Sequence, residues 1–83
     1  MTQYLFMSKS LTNAQRNEKI LEKNGITAAV VKAPQNLSGS GCGYAVSISR
    51  RFDEALSILK RSNTLTGKIY RREDSGDYTE VRV

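Results

Sequence analysis

Histidine and tryptophan are both absent from this chain, and cysteine and proline each occur once. Without histidine there is no imidazole to act as acid, base or metal ligand near neutral pH. The lone cysteine, Cys42, excludes an internal disulfide framework, a four-cysteine zinc site and an iron–sulfur cluster built within one chain. No apolar run approaches the roughly 20 residues that a membrane-crossing helix needs. The first apolar stretch, Tyr4 to Met7, is too short for the core of a signal peptide. These absences predict a cytoplasmic protein without a membrane segment.

What is present suits a small folded domain. The 83 residues are 39% hydrophobic, below the usual prior of roughly 100–200 residues per domain, and predict a single domain over 1–83. A chain of this size buries only about 60–65% of its extended surface. That leaves room for one sheet and one or two helices. Thirteen Lys and Arg against eight Asp and Glu give a net charge of +5.

The hydrophobic pattern alternates between strand and helix periods. Tyr4–Met7 reads as a strand. Thr12 with Gln15 fits a capping box, with Ser10 as the alternative start, for a helix running to Asn24 and closed by a left-handed Gly25. Its buried stripe is Ala14, Asn17 and Leu21, with Ile20 alongside and the polar Asn17 expected at the interface edge. Ile26 to Ala33, bounded by Gly25 and Pro34, suits a second strand. Gln35 to Cys42 is loop-like. From Gly43 the residues alternate, with Tyr44, Val46 and Ile48 on one side and Ala45, Ser47 and Ser49 on the other. Phe52, Ala55, Leu56 and Leu59 then recur at helical spacing, with Asp53 and Glu54 in the first turn and Lys60 and Arg61 in the last, as the helix dipole favours. Gly67 to Arg71 reads as a fourth strand. Asp74 to Asp77 reads as a turn, and the terminal stretch 72–83 is either a returning hairpin strand or a frayed tail.

This order, β-α-β-β-α-β, predicts an α+β fold of the ferredoxin-like type. Both helices would cover one face of a four-stranded antiparallel sheet, with strand order 4-1-3-2.

The topology itself brings Cys42 to a chemically useful place. Strand 3 begins at the sheet end where strand 1 finishes and helix 1 starts, so Cys42 and Gly43 fall near Ser8, Lys9, Ser10, Thr12 and Asn13. Unpaired N–H groups of the first helical turn, with Lys9, Arg16 and Lys32, would favour a thiolate there. Gly39, Gly41 and Gly43 permit positive φ and close approach by another backbone. The chemistry implied is nucleophilic: attack on a persulfide or disulfide, or carriage of sulfur on Sγ. The competing reading of Cys42 is a small buried hydrophobe.

The chain resembles the selenium/sulfur carrier protein-like family of small bacterial proteins. The resemblance lies in Met7-Ser8, Ser10-x-Thr12-Asn13-Ala14, Glu18-Lys19-Ile20-Leu21, Gly25-Ile26, Pro34 and Cys42-Gly43, and it covers roughly Tyr4 to Tyr70. It implies a cytoplasmic carrier, rather than an independent enzyme, that holds sulfur or selenium on Cys42 as a persulfide or selenosulfide. Gly43 would shape the backbone, with Gly41, Lys9, Ser10, Thr12 and Asn13 in support. Its implied partners are a cysteine desulfurase-type donor and an acceptor enzyme. Family members commonly carry a polar residue or histidine near the start of helix 1; here that position holds Thr12. No cofactor and no metal are expected.

Two other functions compete. A basic domain of this topology suits RNA binding, but Ala45, Ser47 and Ser49 on the open face make a poor stacking platform. Alternatively, that open face, lined by Ala28 or Val30, Ala45, and Tyr4 or Phe6, would serve a homodimer or a regulatory partner. Classical enzyme chemistry lacks support. Asp53, Glu54, Glu73, Asp74, Asp77 and Glu80 are explained by helix starts and turns, and no phosphate-loop or dinucleotide fingerprint occurs.

Overall fold

A computed structural model describes residues 3–33, 43–63 and 67–81. The elements are β1 (Gln3–Ser8), α1 (Leu11–Lys23), β2 (Ala29–Lys32), β3 (Tyr44–Ile48), α2 (Phe52–Arg61), β4 (Ile69–Arg72) and β5 (Tyr78–Val81). The fold is α+β, and every pair of neighbouring strands is antiparallel. The expected four-stranded sheet in the order 4-1-3-2 is corrected to a five-stranded sheet in the order β2-β3-β1-β4-β5. The added strand follows from a tight turn. Glu73 N donates to Asp77 O at 2.7 Å, Gly76 N donates to Glu73 O at 2.9 Å, and Gly76 takes φ 93°, a conformation that glycine adopts without steric cost. Val81 then packs against the helix-side cluster and Tyr78 against the opposite one, which gives β5 a contact on each face.

Helix α1 starts at Leu11, one residue ahead of the Thr12 capping box. Ser10 is the N-cap, in extended conformation, and its Oγ accepts from Asn13 N at 3.1 Å. The helix closes with two backbone bonds, Ile26 N to Leu21 O and Gly25 N to Glu22 O, both 3.0 Å, around Gly25 at φ 78°. This is a Schellman closure, and its apolar pair Leu21 and Ile26 joins the core. The closure also explains why β2 begins at Ala29 rather than Ile26. The chain is still leaving the helix cap at Ile26.

The helix-facing core contains Phe6, Ala14, Leu21, Val46, Ile48, Ala55, Leu59 and Ile69 among its buried members. Both helices therefore lie on one side of the sheet. Ala14, Asn17 and Leu21 are the buried stripe of α1. Asn17 is not at the edge: it is 1% exposed, because Ala14 and Leu21 hold the same stripe against the sheet one turn before and after it.

The opposite sheet face is also closed at its centre. Leu5, Met7, Ala33 and Ala45 form a second buried cluster, with Val31, Tyr70 and Tyr78 packed on it. Ala45 and Ser47, expected on an open face, are 0% and 8% exposed. The register gives the reason. Ala45 sits between Met7 and Val31, and Ser47 sits beside Leu5 and accepts from Gln3 Nε2, so larger neighbours cover both. The other residues expected to line an open interface face the helices instead. Tyr4 and Phe6 stack on Phe52, with ring centroids 4.2 and 5.8 Å apart, and Ala28 and Val30 join the helix-side cluster.

Candidate functional site

The sheet end formed by the finish of β1, the start of α1 and the start of β3 is built by register. Ser8, the last residue of β1, pairs with Tyr44, the first of β3, and Tyr44 pairs on its other side with Lys32, the last of β2. Ala33 N donates to Gly43 O at 3.1 Å, which extends that pairing one step. Gly43 therefore sits at the same end as Ser8, Lys9 and the N-cap Ser10. Cys42 and Gly41, together with Pro34 and Gly39, lie outside the described residues.

Each remaining candidate has a defined place. Lys9 is exposed and follows β1 directly. Ser10 spends its hydroxyl on the helix cap, and Asn13 supplies the N–H that it accepts. Thr12 is exposed in the first turn and lines a shallow groove along the outer side of α1 with Arg16, Lys19, Ile20 and Lys23. Arg16 thus belongs to the outer helix face, whereas Lys9 and Lys32 belong to the sheet end. Gly43 is exposed, and among the described residues a Cβ built on it would meet nothing within 4 Å. Its φ is outside the positive range that Gly25 and Gly76 occupy, so its value here is open space rather than backbone freedom.

Electrostatically this end is one-sided. The first turn of α1 carries no acidic residue. The partial positive charge of its N-terminus therefore stands next to Lys9 with no carboxylate in that turn to offset it. Such a setting lowers the free energy of an anion, thiolate included. Among the described residues, no group of three or more His, Cys, Asp and Glu side chains could hold a metal ion.

Two polar side chains are buried more deeply than the sequence suggests. Ser8 is fully buried and its Oγ has no hydrogen-bond partner among the described residues; the same holds for both amide atoms of Asn17. The signal for Ser8 was present in the strand period. Tyr4 and Phe6 point to the helices, so Ser8, two residues on, continues inward. Gly67 was read only as the start of a strand. In fact a Cβ on it would come within 2.5 Å of Met7 O, so glycine is needed where the chain enters beside β1.

A protein-family model described as "Putative Se/S carrier protein-like" matches residues 3–71. The chain belongs to this family. The match runs from β1 into β4, takes in both helices and includes Cys42. No curated protein and no solved structure matches the chain. No helix among the described residues is long and apolar enough to cross a membrane.

Proposed function

We propose that the protein is a cytoplasmic carrier of sulfur or selenium, with Cys42 holding the transferred atom, rather than an enzyme acting alone. The observation that carries this reading is membership of the Se/S carrier-like family, whose match includes the single cysteine of the chain. The character of the sheet end supports it: a helix start without a carboxylate, exposed Lys9 and Lys32, and open space at Gly43, the residue after Cys42.

In the proposed step, the Cys42 thiolate attacks the terminal sulfur of a donor persulfide. A new S–S bond forms at Cys42 Sγ, the donor's S–S bond breaks, and the donor leaves as a thiolate. The sulfane sulfur changes hands with no net gain or loss of electrons by the protein pair. An acceptor thiolate then attacks that terminal atom and releases Cys42 as a thiolate. With selenium, the terminal atom transferred is selenium and the bonds made and broken are S–Se. A cysteine desulfurase-type protein suits the donor role, and a second enzyme takes the atom. Gly41 and Gly43 would let the donor backbone approach, while Lys9 and the N–H groups of the Ser10–Asn13 turn favour the thiolate.

The test is alkylation of the native protein as a function of pH, read by intact mass with Cys42→Ser as the control. The expected midpoint of reactivity lies below the free-thiol value of about 8.5. Incubation with a persulfidated donor should then add 32 Da per chain, about the mass of one sulfur atom, and the increment should vanish in Cys42→Ser. A cysteine that reacts only after unfolding would overturn the proposal.

A further inference from the structure

Arg51, Arg71 and Lys68 have carboxylate partners: Glu54, Glu73 at 2.7 Å and Glu80 at 3.8 Å respectively. The cations on the outer face of α1 do not. Arg16, Lys19 and Lys23 are exposed and make no ion pair among the described residues. They fall on one stripe of the helix, opposite the buried Ala14, Asn17 and Leu21. The half-buried Ile20 lies among them in the shallow groove that opens at Thr12. Of the two carboxylates of this helix, the exposed Glu22 does not line the groove. Glu18 turns to the sheet, where its Oε2 accepts from Val30 N at 3.1 Å.

We infer that this face of α1 docks an acidic protein surface, with carboxylates meeting Arg16, Lys19 and Lys23 and an apolar side chain seated on Ile20. Charge complementarity selects the sign of the partner. The surroundings select its class. A single-stranded nucleic acid needs aromatic side chains on which to stack its bases. All four tyrosines and both phenylalanines are instead packed into the two hydrophobic clusters, and none belongs to α1. From Arg16 to Lys23 the stripe is about 10 Å long, the reach of two helical turns and a fit for a short acidic segment. The inference does not depend on sulfur chemistry and stands whether or not Cys42 carries an atom.

The test uses the full chain as Cys42→Ser, so that thiol reactions play no part. A synthetic amphipathic peptide rich in glutamate, with leucine on one face, is titrated while backbone amide NMR signals are followed at low salt. The expected result is that shifts concentrate on Thr12 to Lys23. Binding should weaken about tenfold in Arg16→Gln/Lys19→Gln/Lys23→Gln, three modest surface pairings lost together. It should change less than about twofold in Lys68→Gln/Arg71→Gln/Arg72→Gln, which removes the same charge from the hairpin. Glutamine is a good helix former, so α1 persists, and the amide spectrum of each variant verifies its fold. Equal weakening in both variants would overturn the inference in favour of general charge attraction. So would an absence of shifts, or tighter binding of a single-stranded RNA oligonucleotide to the same α1 amides.

Discussion

Helices α1 and α2 each follow a strand after a short turn, and each presents unpaired N–H groups at its start, but at opposite ends of the sheet. Helix α2 neutralises its start from within. Asp53 and Glu54 stand in its first turn, and its cap residue Arg51, in left-handed conformation at φ 59°, bonds Glu54 and also donates to Gly25 O at 2.8 Å. Helix α1 satisfies one N–H through Ser10 and leaves its positive end without a carboxylate. The buried sides differ in the same sense. Helix α2 buries Ala55, Ile58 and Leu59, all apolar, whereas α1 buries Asn17 with no partner for its amide among the described residues. The start and the buried side of α2 are thus satisfied. Those of α1 leave a positive end and a buried amide without partners among the described residues, as expected of a region that meets something else.

Two glycines at the α1 end give the largest expected difference. Gly67→Ala would push a methyl group onto the Met7 backbone, where the carbonyl oxygen lies 2.5 Å from the added carbon. Backbone cannot yield as a flexible side chain can, so stability should fall by about 1–3 kcal/mol in chemical denaturation. Gly43→Ala meets open space at an ordinary φ and should change stability by no more than about 1 kcal/mol, in the stabilising direction. Equal losses from both substitutions would show that Gly43 is held as tightly as Gly67. The sheet end would then be closed rather than accessible.

A second substitution sharpens the contrast between the buried stripes. Asn17→Leu keeps the branching of the side chain and removes two polar atoms that have no partner among the described residues. It should stabilise the protein by about 1–2 kcal/mol, since an unsatisfied buried amide carries its full desolvation cost. The measurement is the thermal midpoint, which should rise by roughly 4–8 °C for each kcal/mol. A fall instead would mean that the Asn17 amide holds a polar partner in the folded state. The asymmetry between the two helices would then be smaller than the contacts suggest.

Hydrophobic period marks the elements of this chain, whereas three-dimensional register decides what period cannot. The alternation of Tyr44, Val46 and Ile48 correctly assigned the helix-facing side of β3, because a strand with one apolar side must bury it. The spacing of Phe52, Ala55, Leu56 and Leu59 likewise marked α2. The closed second face was not legible from β3 alone, since Ala45 is small and is covered by Met7 and Val31 from neighbouring strands. The fifth strand was ambiguous for a similar reason: Tyr78–Val81 has no strong alternation and owes its place to the Glu73–Asp77 turn. For the candidate site, topology alone placed Gly43 beside the finish of β1. Asn17 was legible as part of the stripe but not as fully buried, because burial of an amide depends on how closely α1 is drawn onto the sheet.

The smallest expected effect tests the self-neutralised start of α2 through pH. The hydrogen bond from Arg51, aided by its charge, holds the Glu54 carboxyl below its ordinary value of 4.5, and the same contact raises the Arg51 guanidinium. A carboxyl lowered in the folded state contributes stability above that ordinary value and loses it as pH falls through the lower, folded-state one. Stability should therefore decline slightly as pH falls below about 4.5 in part through Glu54, and Glu54→Gln should flatten that component. Both groups are exposed, so raised salt should shrink the difference between wild type and variant. Substituting Thr12→Gln in the first turn of α1 should leave the acid slope unchanged, because that turn holds no carboxylate to titrate. If Glu54→Gln has the same slope as wild type, Arg51 is positioned by Gly25 alone. The start of α2 would then be fixed by the cap of α1 rather than by its own charge pair.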